Sequence, residues 1–122
     1  MAKKILVIDD EPDYVSTLKE CLEGYGYEVA TALNGKEGLE RLKEKVPDLI
    51  VLDLIMPVMN GFEFYKRIKT DHKLHNIPVL IVTGRSDLES SMEPVDSDEF
   101  LSKPLILEDF LARIKPLINE NM

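Results

Sequence analysis

Leu49-Ile50-Val51-Leu52 is apolar at every position and runs straight into Asp53, after which come Leu54-Ile55-Met56-Pro57-Val58-Met59-Asn60-Gly61. A strand with one wet face alternates apolar and polar residues. A strand apolar throughout is covered on both faces, as in a parallel sheet. The same kind of run recurs at Ile5–Ile8 and at Val79–Val82, with weaker strand-like segments at Tyr27–Ala32 and Glu99–Ser102. Helical spacing fills the gaps. Val15, Leu18, Leu22 and Tyr25 make one stripe; Leu39, Leu42 and Val46 another; Leu107, Phe110, Leu111, Ile114 and Ile118 the last. Each stripe has charged residues on the opposite side.

The joints carry the expected punctuation. Pro12 suits a first helical turn, and Gly24 and Gly26 suit that helix's end. Asn34 and Asn60 each stand three residues before a glutamate, Glu37 and Glu63, the pattern of an N-cap with a reciprocal partner. Pro47, Pro78 and Pro104 fall between elements. The reading is five β–α units in one domain filling residues 1–122. Right-handed crossovers then give a doubly wound parallel sheet with helices on both faces.

Composition narrows the function. Hydrophobic residues are 44% and charged residues 31% of the chain, as in an ordinary globular domain. Fifteen Lys and Arg against 23 Asp and Glu leave a formal charge of −8, which repels phosphate backbones and anionic membrane surfaces. The expectation is no direct nucleic-acid contact and no membrane association. The apolar runs are far shorter than the roughly 20 residues of a membrane span, and only four apolar residues follow the basic start before Asp9, too few for a signal peptide. A single cysteine fits a reducing, cytoplasmic setting.

In an open parallel sheet the ligand site lies beyond the carboxyl ends of the strands. Those ends read Asp9-Asp10 with Glu11 next, Asp53, Thr83-Gly84, and Ser102-Lys103-Pro104. Converging acids repel one another unless something positive sits among them. A hard, oxygen-seeking divalent cation, above all Mg²⁺, is the natural neutraliser. Three carboxylates, one ammonium and one such cation then cancel. Acids at the start of a helix also suit its dipole, but that leaves Asp53 and Lys103 unexplained. A carboxylate beside a divalent cation and a lysine can attack phosphorus and form an aspartyl phosphate, with the Thr83 hydroxyl on a phosphoryl oxygen.

Taken together, Asp9-Asp10, the Asp53–Gly61 segment, Thr83-Gly84 and Phe100-Leu-Ser-Lys103-Pro104 resemble the receiver domain of two-component response regulators, over nearly the whole chain. The resemblance implies a flavodoxin-like five-stranded sheet in the order 2-1-3-4-5. It implies that Asp53 accepts a phosphoryl group from the phosphohistidine of a sensor histidine kinase or phosphotransfer protein, and that a downstream protein effector reads the result. It further implies Mg²⁺ (Mn²⁺ as the alternative) on Asp10, Asp53 and the backbone carbonyl of Ile55, with Asp9 acting through water. Thr83 and Phe100 would be a switch pair, Lys103 and Thr83 would hold the phosphoryl group, and the Lys103–Pro104 bond would be cis. Self-phosphorylation from a donor and autodephosphorylation are the only chemistry implied.

The chain also departs from the family pattern. The interval from Thr83 to Lys103 is short, and a fourth helix is confined between Ser86 and Pro94. Val95-Asp96-Ser97-Asp98 replaces the usual small-residue turn, and the switch aromatic is Phe rather than Tyr. Pro116 is expected to kink or end the last helix. Where the chain stops leaves open a stand-alone regulator or a receiver cut from a longer one.

Several residues have bland readings: Cys21 as an inert boundary thiol, His72 and His75 as loop residues rather than a weak metal pair, and Met56 and Met59 as loop packing or a partner contact. Rival functions each lack a feature. A haloacid-dehalogenase-like phosphotransfer enzyme wants an acid two residues after its nucleophile, where Ile55 stands. A flavodoxin-like cofactor binder wants a Ser, Thr and Gly-rich loop after the first strand, where Asp-Asp-Glu-Pro would repel phosphate. A pseudo-receiver acting only by contact has no need of the intact acid–Thr–Lys set.

Overall fold

The computed structural model describes residues 2–54, 56, 58–84 and 99–118. In chain order the elements are β1 (Lys4–Ile8), α1 (Pro12–Gly24), β2 (Glu28–Ala32), α2 (Gly35–Glu44), β3 (Leu49–Leu52), α3 (Gly61–Lys69), β4 (Val79–Thr83), β5 (Glu99–Ser102) and α4 (Leu107–Ile118). All five strands are parallel, in the order β2-β1-β3-β4-β5. The helix expected between Ser86 and Pro94, and the turn at Val95–Asp98, lie outside the described residues.

The continuous apolar runs are buried on both faces because helices cover both. Leu6, Ile8, Ile50, Leu52 and Ile81 point to one side and pack with Leu42 of α2 and with Phe64, Tyr65 and Ile68 of α3. Ile5, Val7, Leu49, Val51, Leu80 and Val82 point to the other and pack with Val15, Leu18 and Leu22 of α1 and Phe110, Ile114 and Ile118 of α4. Fully burying one such side chain stabilises by about 1.5–3 kcal/mol. The edge strand β2 is blunted by Glu28, whose carboxylate meets Lys45 Nζ at 3.0 Å.

The helix starts follow the sequence signals with one refinement. Asn34 Oδ1 accepts from the Glu37 N–H at 2.9 Å, and Asn60 Oδ1 from the Glu63 N–H at 3.0 Å. The Glu37 carboxylate reaches back one residue further than a capping box, to the Leu33 N–H, and the Glu63 carboxylate pairs with Arg67. Pro116 does not end the last helix: α4 continues through it to Ile118. A proline removes one backbone donor, while the buried Ile114 and Ile118 anchor the turns on either side, so packing outweighs that loss.

Candidate functional site

β1 and β3 are neighbours at the centre of the sheet, and strand order reverses between them. The ladders that β1 makes with β2 and with β3 each continue one residue past the strand ends. The Asp9 N–H donates to the Ala32 carbonyl at 3.1 Å, and the Asp53 N–H donates to the Ile8 carbonyl at 3.0 Å. Both carboxylates are therefore fixed by the backbone at the sheet's carboxyl edge, and both are nearly buried, at 3% and 6% exposure. Asp10 is exposed. One oxygen from each of Asp9, Asp10 and Asp53 lies within 4.8 Å of the others. That spacing of hard anionic donors fits a small divalent cation, and these three side chains are the ones that would hold it.

Lys103 enters from the far side, after β5. Its Nζ lies 2.8 Å from Asp9 Oδ2, 3.7 Å from Asp53 Oδ2 and 3.5 Å from Glu11 Oε1. Burial alone would lower the pKa of this ammonium. The hydrogen bond it donates to Asp9 and the charges of Asp9 and Asp53 outweigh burial, so it is raised from 10.5 to about 12. Lys103 is therefore a fixed positive charge. The Lys103–Pro104 peptide bond is cis.

Two other features shape the edge. The second Asp9 oxygen accepts from the Glu11 N–H at 3.1 Å, and α1 begins at Pro12 immediately after it. Beyond Asp53 the chain loops out and returns, with the Gly61 N–H donating to the Leu54 carbonyl at 2.9 Å and the Gly35 N–H to the Met59 carbonyl at 3.1 Å. A Cβ at position 61 would collide with the Asp53 carbonyl oxygen and approach Leu54 Cα to 2.5 Å. Glycine is what lets α3 start this close to the end of β3. Val58 in the same loop has φ of 70° and is exposed, a costly geometry for a β-branched residue.

The structure thus brings together Asp9, Asp10, Asp53 and Lys103, from strand ends far apart in sequence. The backbone of Thr83 sits at the end of β4, in register with Ser102, and its hydroxyl lies outside the described atoms. Ile55 is likewise outside the described residues. The Phe100 ring, opposite Ile81 in the register, is half-buried against the core side that α2 and α3 cover. Cys21 is half-buried, and His75 Nδ1 lies 3.1 Å from the His72 carbonyl oxygen, within its own loop.

Two contributors were not assigned roles from the sequence. Glu11 adds a further carboxylate to Lys103. Tyr14, in the first turn of α1, lies with its ring centroid 4.7 Å from Lys103 Nζ. An aromatic one turn past an acidic pair was the available signal for Tyr14.

Comparison with known proteins places this geometry. Residues 5–115 match the model of the response regulator receiver domain family. The chain is 36% identical over 117 residues to the DNA-binding dual master transcriptional regulator RpaA of Synechocystis, covering 94% of this chain and 48% of that protein. The chain spans about half the length of the curated relatives it matches. Among solved structures it is similar to the signal receiver domain of a signal transduction histidine kinase from Syntrophus aciditrophicus, with TM-score 0.87 and 33% identity, covering 96% of this chain and 90% of that one. It is also similar to the response regulator TrrA of Thermotoga maritima in complex with Mg²⁺–BeF, with TM-score 0.84 and 34% identity, covering 94% and 98%.

Proposed function

The chain belongs to the response regulator receiver domain family, and from that premise we propose that Asp53 accepts a phosphoryl group and that the domain is the switch this modification throws. The observation that carries the reading is the position of Lys103 Nζ, 3.7 Å from Asp53 Oδ2 in a carboxylate-lined edge. An Asp53 oxygen attacks phosphorus, the P–N bond of a phosphohistidine breaks, and the imidazole nitrogen leaves with the bonding pair. The phosphoryl group moves to Asp53, and three of its oxygens carry charge that must be met. Lys103 meets part of it with a charge already in place, which needs no reorganisation at the moment of transfer. Asp9 and Asp10, with Asp53, would hold Mg²⁺, which supplies further neutralisation of the phosphoryl oxygens when bound. The Thr83 hydroxyl is assigned to a phosphoryl oxygen, Phe100 to the response that follows, and the Ile55 carbonyl to the metal.

Receiver domains are generally switches rather than enzymes. The chemistry proposed here is Mg²⁺-dependent self-phosphorylation and loss of the same group to water. The donor is a sensor histidine kinase or a phosphotransfer protein, and the output is contact with a protein effector. The formal charge of −8 supports a domain that does not itself bind nucleic acid. Among the described residues no helix is long and apolar enough to cross a membrane; we assign the domain, residues 1–122, to the cytoplasm.

The test is incubation with Mg²⁺ and acetyl phosphate. One phosphoryl group should be gained, stable to acid and labile to alkali, and Asp53→Asn should lose it. Undiminished labelling in that variant, on serine or threonine, would overturn the assignment.

A further inference from the structure

We propose that Tyr14 is a positioning residue for Lys103: its ring forms one wall against which the ammonium is held, so that the cation faces Asp53 before any donor arrives. This rests on the reading of Asp53 as the acceptor. A lysine head on a long flexible stem can occupy many positions, and each costs ordering when the phosphoryl group must be met. Here the options are closed on two sides. Asp9 Oδ2 holds Nζ at 2.8 Å, and the Tyr14 ring centroid lies 4.7 Å away, inside the range of an effective cation–π contact. Glu11 Oε1 at 3.5 Å and Asp53 Oδ2 at 3.7 Å are further carboxylate oxygens around that head group.

The ring rather than the hydroxyl carries the role. Among the described residues the Tyr14 hydroxyl is buried with no hydrogen-bond partner. A buried polar group without a partner destabilises, so the position keeps a tyrosine at a cost that phenylalanine would avoid. Burial and the neighbouring acids, acting against Lys103, raise the phenol from 10.0 to about 12, so it remains neutral beside the site. A neutral ring attracts the ammonium through its quadrupole without competing as an anion for it.

The experiment uses the whole chain, with Tyr14→Phe and Tyr14→Leu. In the metal-free protein, the Lys103 side-chain proton resonances should be displaced upfield by the ring current in wild type and in Tyr14→Phe, and should return to ordinary lysine positions in Tyr14→Leu. With Mg²⁺ and acetyl phosphate, Tyr14→Phe should be labelled at close to the wild-type rate and Tyr14→Leu roughly tenfold more slowly, the scale of a desolvated cation–π contact. Recovery by Phe and not by Leu separates a ring contact from apolar filling. Ordinary Lys103 resonances in wild type overturn the inference, and that arm needs no variant to fold. An undiminished rate in Tyr14→Leu overturns it as well, even if the resonances move. Failure of the acceptor reading shows separately, as wild-type protein that is not labelled or labelling that survives Asp53→Asn.

Discussion

Replacing Lys103 by methionine keeps an unbranched side chain and removes the positive charge from beside two buried carboxylates. Asp9 and Asp53 have side chains only 4% and 7% exposed, and Lys103 Nζ lies 2.8 and 3.7 Å from them. A pKa raised from 10.5 to about 12 corresponds to about 2 kcal/mol of preference for the charged lysine in the folded state. Stripping one partner from a fully buried pair costs about 3–5 kcal/mol. The exposed Asp10 keeps water at this edge, so the lower figure governs. Lys103→Met should therefore destabilise the protein in EDTA by about 2 kcal/mol. Asp9→Asn removes the closest counter-charge while retaining an oxygen for the Glu11 N–H. The cycle of wild type, both single variants and the double variant, followed by urea denaturation at neutral pH, should give a coupling of about 1–2 kcal/mol. A coupling below about 0.5 kcal/mol, or a Lys103→Met variant as stable as wild type, would refute the view that this ion pair holds the edge together.

Further outcomes follow from the same geometry. Lys103 and Tyr14 both have folded pKa values raised to about 12, so each binds its proton more tightly folded than unfolded. Their contribution is present below about pH 10 and is lost as pH rises towards 12; denaturation at pH 9 and pH 11 should show a loss that is smaller in Lys103→Met. Asp10→Asn should weaken Mg²⁺ binding severely and, by relieving repulsion, leave the metal-free protein as stable as wild type or more so, by up to about 1 kcal/mol. A thermal melt in EDTA that drops clearly would show instead that Asp10 is a structural cap. Gly61→Ala forces a Cβ onto the backbone of Asp53 and Leu54. It should cost at least about 2 kcal/mol and reduce labelling at Asp53, whereas an unchanged melt and labelling rate would contradict the close approach.

Much of the fold was legible because burial on both faces leaves a plain mark. Ile5–Ile8, Leu49–Leu52 and Val79–Val82 could hardly be anything but central parallel strands, and the sheet order is β2-β1-β3-β4-β5. Strand ends then told where Asp9, Asp10, Asp53 and Lys103 converge, since a parallel sheet puts all its carboxyl ends on one edge. What escaped depended on where side chains point rather than on which strand they follow. Lys103 and Asp9 are 94 residues apart in sequence, and their contact depends on a stem whose direction no local pattern encodes. The ring of Tyr14 and the carboxylate of Glu11 meet the same head group for the same reason. An end of the last helix at Pro116 was not found, because a local rule about one lost donor takes no account of the buried Ile114 and Ile118 on either side.

The most direct measurement locates the phosphoryl group. Protein incubated with Mg²⁺ and acetyl phosphate is reduced with borohydride, which converts an aspartyl phosphate to homoserine, and is then digested and sequenced by mass spectrometry. The expected result is homoserine at position 53 alone, dependent on Mg²⁺ and suppressed in Lys103→Met. Homoserine at Asp9 or Asp10, or none at all beside a phosphorylated hydroxyl elsewhere, would contradict the assignment of Asp53 as the acceptor.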